Sequence, residues 1–464
     1  MPALPVSNEL SLPEKSPGAI PTPGGVRAGL TGFKARLLAH KGKILTVLLG
    51  QGTTAIGLAI GSRVLTEFVA PAALGQYKLA IGALSLVAGL FFRPFVQFVM
   101  RQYHDANEKN HGPEFLAFAL RVLTKAALIL GTCVAVALFL YGHFTGTVGL
   151  MAALATACLL YLHSNLNFQN GVLVTQNRQQ FANILRVVAQ CGLPFAIALG
   201  AMALGQSGRS LLVAEVVFLV LVLLVSTRLL PIRLTTEARA SDQDRSLWSA
   251  EARRFIVPMV GVGVFSWILS LSDRYILEAF ASTHEVGLYS AVYGLGAQPM
   301  LMATGVTAQL VYPFLFRAAA QERAEAQAQI HRYVIATTAL TALCGIGALL
   351  LLGHQIVNLL LAASYRENAY EVLLWVASGY AALSVASTFE LRAYAGKKTA
   401  NIGLAYAIAG LTNLGLNLLW VPQQGATGAA KATFFGFLVY LIVLAALTIL
   451  RKPPEVNQAT SQSV

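Results

Sequence analysis

Charge is scarce in this chain. Only 11% of its 464 residues are Asp, Glu, Lys or Arg, against roughly a quarter in soluble domains, and that shortage excludes an ordinary water-soluble fold. Cysteine is scarcer still. Cys133, Cys158, Cys191 and Cys344 each lie inside an apolar run, so they read as small packing residues rather than disulfide partners or metal ligands. Carboxylates are missing from the stretch 44–62, and the first ionisable residue after it is Arg63. The sequence shows no nucleotide-binding loop, metal cluster or nucleophile triad, so it assigns no catalytic residue, metal or cofactor and indicates no enzyme. Residues 1–42, rich in Pro, Gly and Ser, contain no apolar run long enough for a signal-peptide core and read as a basic cytoplasmic tail.

What the chain has instead is hydrophobic length. With 56% hydrophobic residues, it repeats runs near the ~20 residues that cross ~30 Å of hydrocarbon. Twelve spans are expected, near 44–68, 74–100, 122–142, 147–170, 181–204, 210–229, 255–279, 286–314, 330–352, 370–392, 400–421 and 427–450. The fold class is therefore an all-α polytopic membrane protein. The polar stretch 230–254 divides it into a six-helix lobe over 43–229 and a second over 255–450, with a short tail over 451–464. The net charge of +13 does not mark a nucleic-acid partner, because the bases gather in connections on one side. The tail, Arg101, Lys109, Arg178, the central arginines, Arg317, Arg323, Lys397, Lys398, Arg451 and Lys452 share that side, and the other holds little beyond Arg209 and Arg366. Such asymmetry places both termini in the cytoplasm.

The two lobes share a pattern. SRVLTEFVAPAALGQYKLA over 62–80 and SDRYILEAFASTHEVGLYSAVY over 272–293 each place Arg four residues before Glu, then break, then resume with Gly-x-Tyr. The matched residues are Arg63, Glu67, Gly75 and Tyr77 in one copy and Arg274, Glu278, Gly287 and Tyr289 in the other. A polar turn, Gln176 to Arg178, is echoed by Gly396 to Lys398. Parallel repeats of several helices recur among secondary transporters.

With these strings the chain resembles the bacterial lipid-linked oligosaccharide flippases, the Wzx-like polysaccharide transport family of the multidrug/oligosaccharidyl-lipid/polysaccharide exporter superfamily. The resemblance implies two six-helix lobes around a central cavity open to either side in turn. It also implies an undecaprenyl-pyrophosphate-linked sugar unit as substrate, carried to the outer leaflet of the cytoplasmic membrane for O-antigen, capsule or exopolysaccharide synthesis. Membrane lipids and the polysaccharide polymerase and chain-length proteins are the implied partners.

A pyrophosphate crosses hydrocarbon only where counter-charge replaces water. Arg63, Lys78, Arg93, Arg274 and Lys431 lie within or at the ends of the spans and are the candidate cationic lining. Two readings stay open for Arg63 and Arg274, lining an outer mouth or pairing with Glu67 and Glu278; Lys78 and Lys431 could equally extend to an interface, whereas Arg93, about two turns inside Arg101, reads as facing the cavity in preference to the inner surface. Coupling to a proton or sodium gradient would need a carboxylate that changes state, for which Asp273, Glu215 and Glu390 are the candidates. Trp267, Tyr275 and Tyr289 are candidate sugar contacts, although buried aromatics more often pack. Two other functions remain open. A multidrug or toxin extruder of cationic compounds should offer carboxylates in its lumen, and span one has none; a membrane glycosyltransferase, polymerase or ligase should carry a catalytic outer loop with acids, bases or histidines, and the largest expected outer loop, 353–370, holds His354, Arg366, Glu367 and little else.

Overall fold

The computed structural model describes residues 41–145, 149–229, 241–320, 324–395 and 399–450. The two tails, the middle of the central connection and the Gly396–Lys398 turn lie outside the described residues. By its contacts the chain divides after Leu49, and the packed body begins at Gly50.

Every element among the described residues is helical. In chain order they are α1 (Lys41–Phe68), α2 (Pro71–Glu108), α3 (Gly112–Thr145), α4 (Leu150–Thr175), α5 (Gln179–Leu204), α6 (Gly208–Leu229), α7 (Asp242–Phe280), α8 (Thr283–Ala320), α9 (Ala324–Leu360), α10 (Ala369–Ala395) and α11 (Thr399–Leu450). A 3-10 turn, Ala363–Tyr365, joins α9 to α10. α11 breaks at Gly425, whose φ of 54° and ψ of −132° leave the helical region. Only a residue without a β-carbon adopts that conformation at low cost, so α11 is two passes joined by a sharp turn, and the described residues form twelve helical passes. Eight of the helices are long and apolar enough to cross a membrane. Their outward faces carry bare aliphatic side chains such as Leu128, Leu199, Leu343 and Leu351, which hydrocarbon tolerates and water does not. The chain is a multi-pass membrane protein.

Successive helices run antiparallel and give the body two ends. The Val69 end holds the α1–α2, α5–α6, α7–α8 and α9–α10 turns and Gly425. The Lys109 end holds the α2–α3 and α4–α5 connections, where Asn110 and Asn177 take positive φ of 60° and 58°, a conformation Asn enters more readily than most residues. At the Val69 end, Gln206 clasps the α1–α2 turn by accepting from the Ala70 N–H at 2.9 Å and donating to the Phe68 carbonyl at 2.7 Å.

The repeated Gly-x-Tyr strings meet one another across the molecule. A β-carbon on Gly75 would collide with the carbonyl oxygen of Thr283, and one on Gly287 with that of Pro71. The missing side chains therefore let α2 and α8 touch backbone to backbone where the two halves join. α7 seals the same seam lower down: the Tyr275 hydroxyl donates to the Leu79 carbonyl at 2.7 Å, and the Trp267 indole N–H to the Gly82 carbonyl at 2.8 Å. A third tie comes from the second half's 3-10 turn, whose Tyr365 donates to the Val69 carbonyl at 2.8 Å.

Three expectations are corrected. The central stretch is polar only in part a linker, since α7 begins at Asp242 with Ser241 accepting from the Asp244 N–H at 3.0 Å, a side-chain cap that satisfies one orphan donor. Its new first turns pack inward. Trp248 lies against Phe115 and Phe118 of α3, with ring centroids 5.1 and 5.4 Å apart, and so ties the second half to the first at the Lys109 end. Trp248→Ala is expected to remove about 3–5 kcal/mol of packing, read as a lower melting midpoint of the purified protein. The cysteines also differ from expectation. Cys191 does pack, against Gly57 of α1, but Cys133, Cys158 and Cys344 are exposed on the outside of the bundle. Finally, the stretch 353–370 is no large loop, because α9 continues to Leu360 and α10 starts at Ala369.

Candidate functional site: a cationic cavity beside the seam

α2 is not a uniform helix. Its middle, Ala88–Phe92, is a π turn closed by a bond from the Arg93 N–H to the Ala88 carbonyl. Pro94 is the local cause. It has no N–H to give to the turn before it, and its ring crowds the preceding carbonyls, so the helix widens by one residue. The widened turn leaves the Gly89 carbonyl against α7, where a β-carbon on Gly263 would stand 3.0 Å away. It also presents Arg93 to two cavities at once.

The first cavity, about 240 Å³, lies between α2, α7, α10 and α11 and is lined by Ser85, Arg93, Gln97, Ser266, Trp267 and Tyr406 among others. The second, about 270 Å³, lies between α2 and α4 and is lined by Arg93, Gln97, His163, Ser164, Asn167 and Asn170 with apolar neighbours. Arg93 and Gln97 belong to both. Neither lining includes a carboxylate. Phe91 stacks on Phe95 at 5.6 Å with planes 9° apart, while Arg93 itself is exposed to the two cavities.

The other candidate cations lie elsewhere. Arg63, near the end of α1, pairs with Glu67 at 2.8 Å and donates to the Leu361 carbonyl at 2.5 Å; its side chain is 39% exposed. Its repeat partner behaves differently. Arg274 is 8% exposed and bonds Asp273 at 3.2 Å and the Ser270 carbonyl at 3.1 Å. It does not reach Glu278, which instead accepts from the Thr283 hydroxyl at 2.8 Å. Pairing of Arg274 with Glu278 is thus corrected, and the reason is depth: Arg274 is drawn inward by Asp273 and by the face of Tyr293, 4.4 Å from its guanidinium carbon. Lys431 sits near the Gly425 turn, bonded to Gln424 at 2.8 Å with Glu371 at 3.6 Å. Lys78 stands at the seam over the Tyr77 ring, within electrostatic reach of Arg274 and Glu215.

Each candidate carboxylate is held by hydroxyls or an imidazole. Asp273 accepts from Tyr289 at 2.6 Å, and Tyr289 also meets Thr433 of the last pass at 3.3 Å. Glu215, with its side chain 1% exposed, accepts from Tyr77 at 2.9 Å and meets His163 Nε2 at 2.9 Å. The duplicated tyrosines thus each engage a polar group on the last pass of their own half. Glu390 accepts from Tyr406 at 3.1 Å and from Tyr440, and Tyr406 lines the first cavity. Of the aromatic candidates, Trp267 lines that cavity while Tyr275 and Tyr289 are committed to hydrogen bonds at the seam and with Asp273.

Of the polar face of α4, sequence reasoning picks out Asn170 alone, as a plausible sugar contact, and misses the rest. His163, Ser164, Asn165, Asn167, Gln169 and Asn170 crowd eight residues of an otherwise apolar span, and amides at that density are a signal that was available. Part of the row is structural: Gln169 accepts from Ser226 of α6 at 2.8 Å and donates to Asn165 at 3.1 Å. The rest, His163, Asn167 and Asn170, faces the second cavity.

No protein-family model matches the chain, and no curated protein does. Solved structures do. An inward-facing multidrug resistance MATE family transporter of the MOP superfamily superposes with a TM-score of 0.67 at 15% identity, covering 86% of this chain and 94% of that one. The lipid II flippase MurJ, in an inward closed conformation, gives 0.70 at 14% identity over 88% of each chain. A MOP superfamily transporter from Pyrococcus furiosus, described as having a binding pocket of reversed polarity, gives 0.59 at 16% identity over 88% and 94%. The chain has the fold of these transporters, two six-helix lobes about a central cavity. Exporters of drugs and a flippase of lipid share that fold, so the fold alone does not select a substrate.

Proposed function

We propose that the protein flips a polyprenyl-pyrophosphate-linked oligosaccharide from the inner to the outer leaflet of a bacterial cytoplasmic membrane by alternating access. The observation that supports this most is Arg93, placed where both cavities meet, with amides, hydroxyls and aromatic rings around it and no carboxylate in either lining. A planar guanidinium donates two bonds to a phosphate at once, and amides with aromatic faces suit sugar hydroxyls and ring faces. A cationic drug would meet the wrong charge in such a cavity. The tail has no gain from entering a polar space, so it stays in the bilayer while the head group passes. In this reading the Lys109 end and both termini face the cytoplasm, and the polysaccharide polymerase and chain-length proteins receive the flipped unit.

The test is translocation in reconstituted vesicles, with a lipid-linked oligosaccharide and an organic cation supplied in parallel. Movement of the lipid and not of the cation is the expected result. Export of the cation with no movement of the lipid would transfer the protein to the multidrug class.

A further inference from the structure

The two cavities are built by different helices. Every residue lining the second comes from α2 or α4, whereas the first is shared between α2 and the second half's α7, α10 and α11. A group held in the second cavity therefore touches the first half alone, and its contacts do not depend on how the halves stand toward each other. α2 and α4 are held together there. A β-carbon on Gly171 would come within 2.9 Å of Val96 and 3.3 Å of Met100, so the missing side chain lets α4 approach α2 closely. The polar face of α4 is also anchored to its neighbours: Asn170 donates to the Ala182 carbonyl of α5 at 3.2 Å, and His163 meets Glu215 of α6 at 2.9 Å. A space fixed in this way is shaped before a ligand arrives.

Its lining is of two kinds. Phe92, Val96 and Met100 are apolar, and Ser164, Asn167 and Asn170 are polar. Asn167 is exposed, while Ser164 is 2% exposed and its hydroxyl has no hydrogen-bond partner among the described residues. A buried hydroxyl left so is costly, and a ligand that completes it gains by doing so. A prenyl chain in this space would leave the amides unpaired, and a phosphate alone would leave the apolar residues uncovered. A pyranose ring answers both, offering C–H faces to Phe92 and its neighbours and hydroxyls to the amides.

We propose that the second cavity is a subsite for an uncharged sugar, the one joined directly to the pyrophosphate, and that Ser164 and Asn167 select it. This deepens the flippase reading and rests on it. Arg93 lines both cavities, so a pyrophosphate bound to it has its first sugar within reach of the second, and the sugars beyond extend into the first. Charge sets the class. The lining has no carboxylate to offset the ammonium of an unacetylated amino sugar. A uronate would need a cation besides Arg93, and His163 is already engaged by Glu215. Both are rejected for want of a partner. Because the subsite belongs wholly to the first half, pyrophosphate and first sugar travel with that half, and only the contacts in the first cavity change as the halves move.

The experiment measures equilibrium binding to the full-length protein in lipid nanodiscs. The probes are polyprenyl pyrophosphate alone, the same lipid bearing one glucose, galactose or N-acetylglucosamine, and the same lipid bearing glucuronate. At least one neutral sugar is expected to tighten binding about tenfold over the bare lipid, the worth of about two net hydrogen bonds, and glucuronate not to tighten it. Asn167→Ala and Ser164→Ala should each remove several-fold of that gain and leave the bare lipid's affinity unchanged, with the melting midpoint of Ser164→Ala no lower than that of the unaltered protein. Arg93→Ala should weaken every probe. If all probes bind equally, or if Asn167→Ala weakens the bare lipid as much as the sugar-bearing one, the subsite is overturned while the flippase reading stands. Loss of the gain in Ser266→Ala but not in Asn167→Ala moves the sugar to the first cavity and overturns it likewise. Binding of none of the probes removes the flippase reading and the subsite together. If Ser164→Ala fails to give monodisperse protein, Asn167→Ala decides alone.

Discussion

Alanine at Gly75 or Gly287 is expected to abolish transport while leaving the protein inserted and folded. Both positions face backbone, not flexible side chains: the added carbon would collide with the Thr283 or Pro71 carbonyl oxygen, and a carbonyl in a helix end cannot swing aside. Overpacking of this kind costs about 1–3 kcal/mol. A cost near 2 kcal/mol shifts a balanced two-state equilibrium by roughly 30-fold, and it applies only to the conformation in which α2 and α8 touch. The expected measurement is lost translocation by protein that still inserts and stays monodisperse. Gly50→Ala is the control, since nothing lies within 4 Å of a β-carbon there; in a helix that change is neutral or stabilising by roughly 0.5–1 kcal/mol. Equal losses in Gly50→Ala and Gly75→Ala would mean that the assay reports general damage.

Arg93→Ala is expected to reduce lipid-linked oligosaccharide translocation by on the order of 30-fold or more, from the loss of about 2 kcal/mol or more when one partner of a hydrogen-bonded charge pair is truncated. Arg93→Lys should recover only part of this, because an ammonium retains the charge and loses the fork. The contrast with Arg63→Ala separates a cavity role from a structural one. Arg63 is bound to Glu67 and to the α9 end, so its loss should lower stability at the Val69 end without a substrate-dependent loss of transport. If Arg63→Ala impairs translocation as severely as Arg93→Ala at equal stability, the path runs past the end of α1, and Arg93 is not its centre.

The passes were legible in the sequence because hydrocarbon thickness dictates their length, and the repeat was legible because Gly75, Tyr77, Gly287 and Tyr289 recur at fixed spacing. What those residues touch was not legible. Nothing in the spacing says that Gly75 and Gly287 face each other's helices, since a small residue marks a close approach without naming the neighbour. The start of α7 was hidden by polarity: Asp242 to Arg254 looks like solvent-exposed linker until the Ser241 cap and the burial of Trp248 are seen. The hydroxyl partners of Glu390 were not legible because Tyr406 and Tyr440 stand 16 and 50 residues away in the chain. Charge sign was visible in Arg93, but the π turn that aims it at two cavities arises from Pro94 acting on a helix already formed. The cavities themselves depend on how helices from both halves converge, and local pattern carries no information on that.

The amide row of α4 has a consequence for biogenesis. A segment with His163, Ser164, Asn165, Asn167, Gln169 and Asn170 in its second half leaves the insertion machinery with polar groups that lipid cannot satisfy. Its partners for Gln169 and His163 are Ser226 and Glu215, both on α6 and synthesised some 50 residues later. Glu215 in turn enters the bilayer at lower cost beside His163 and Tyr77 than alone. α4 and α6 therefore satisfy one another's polar groups, and each lowers the cost of holding the other within hydrocarbon.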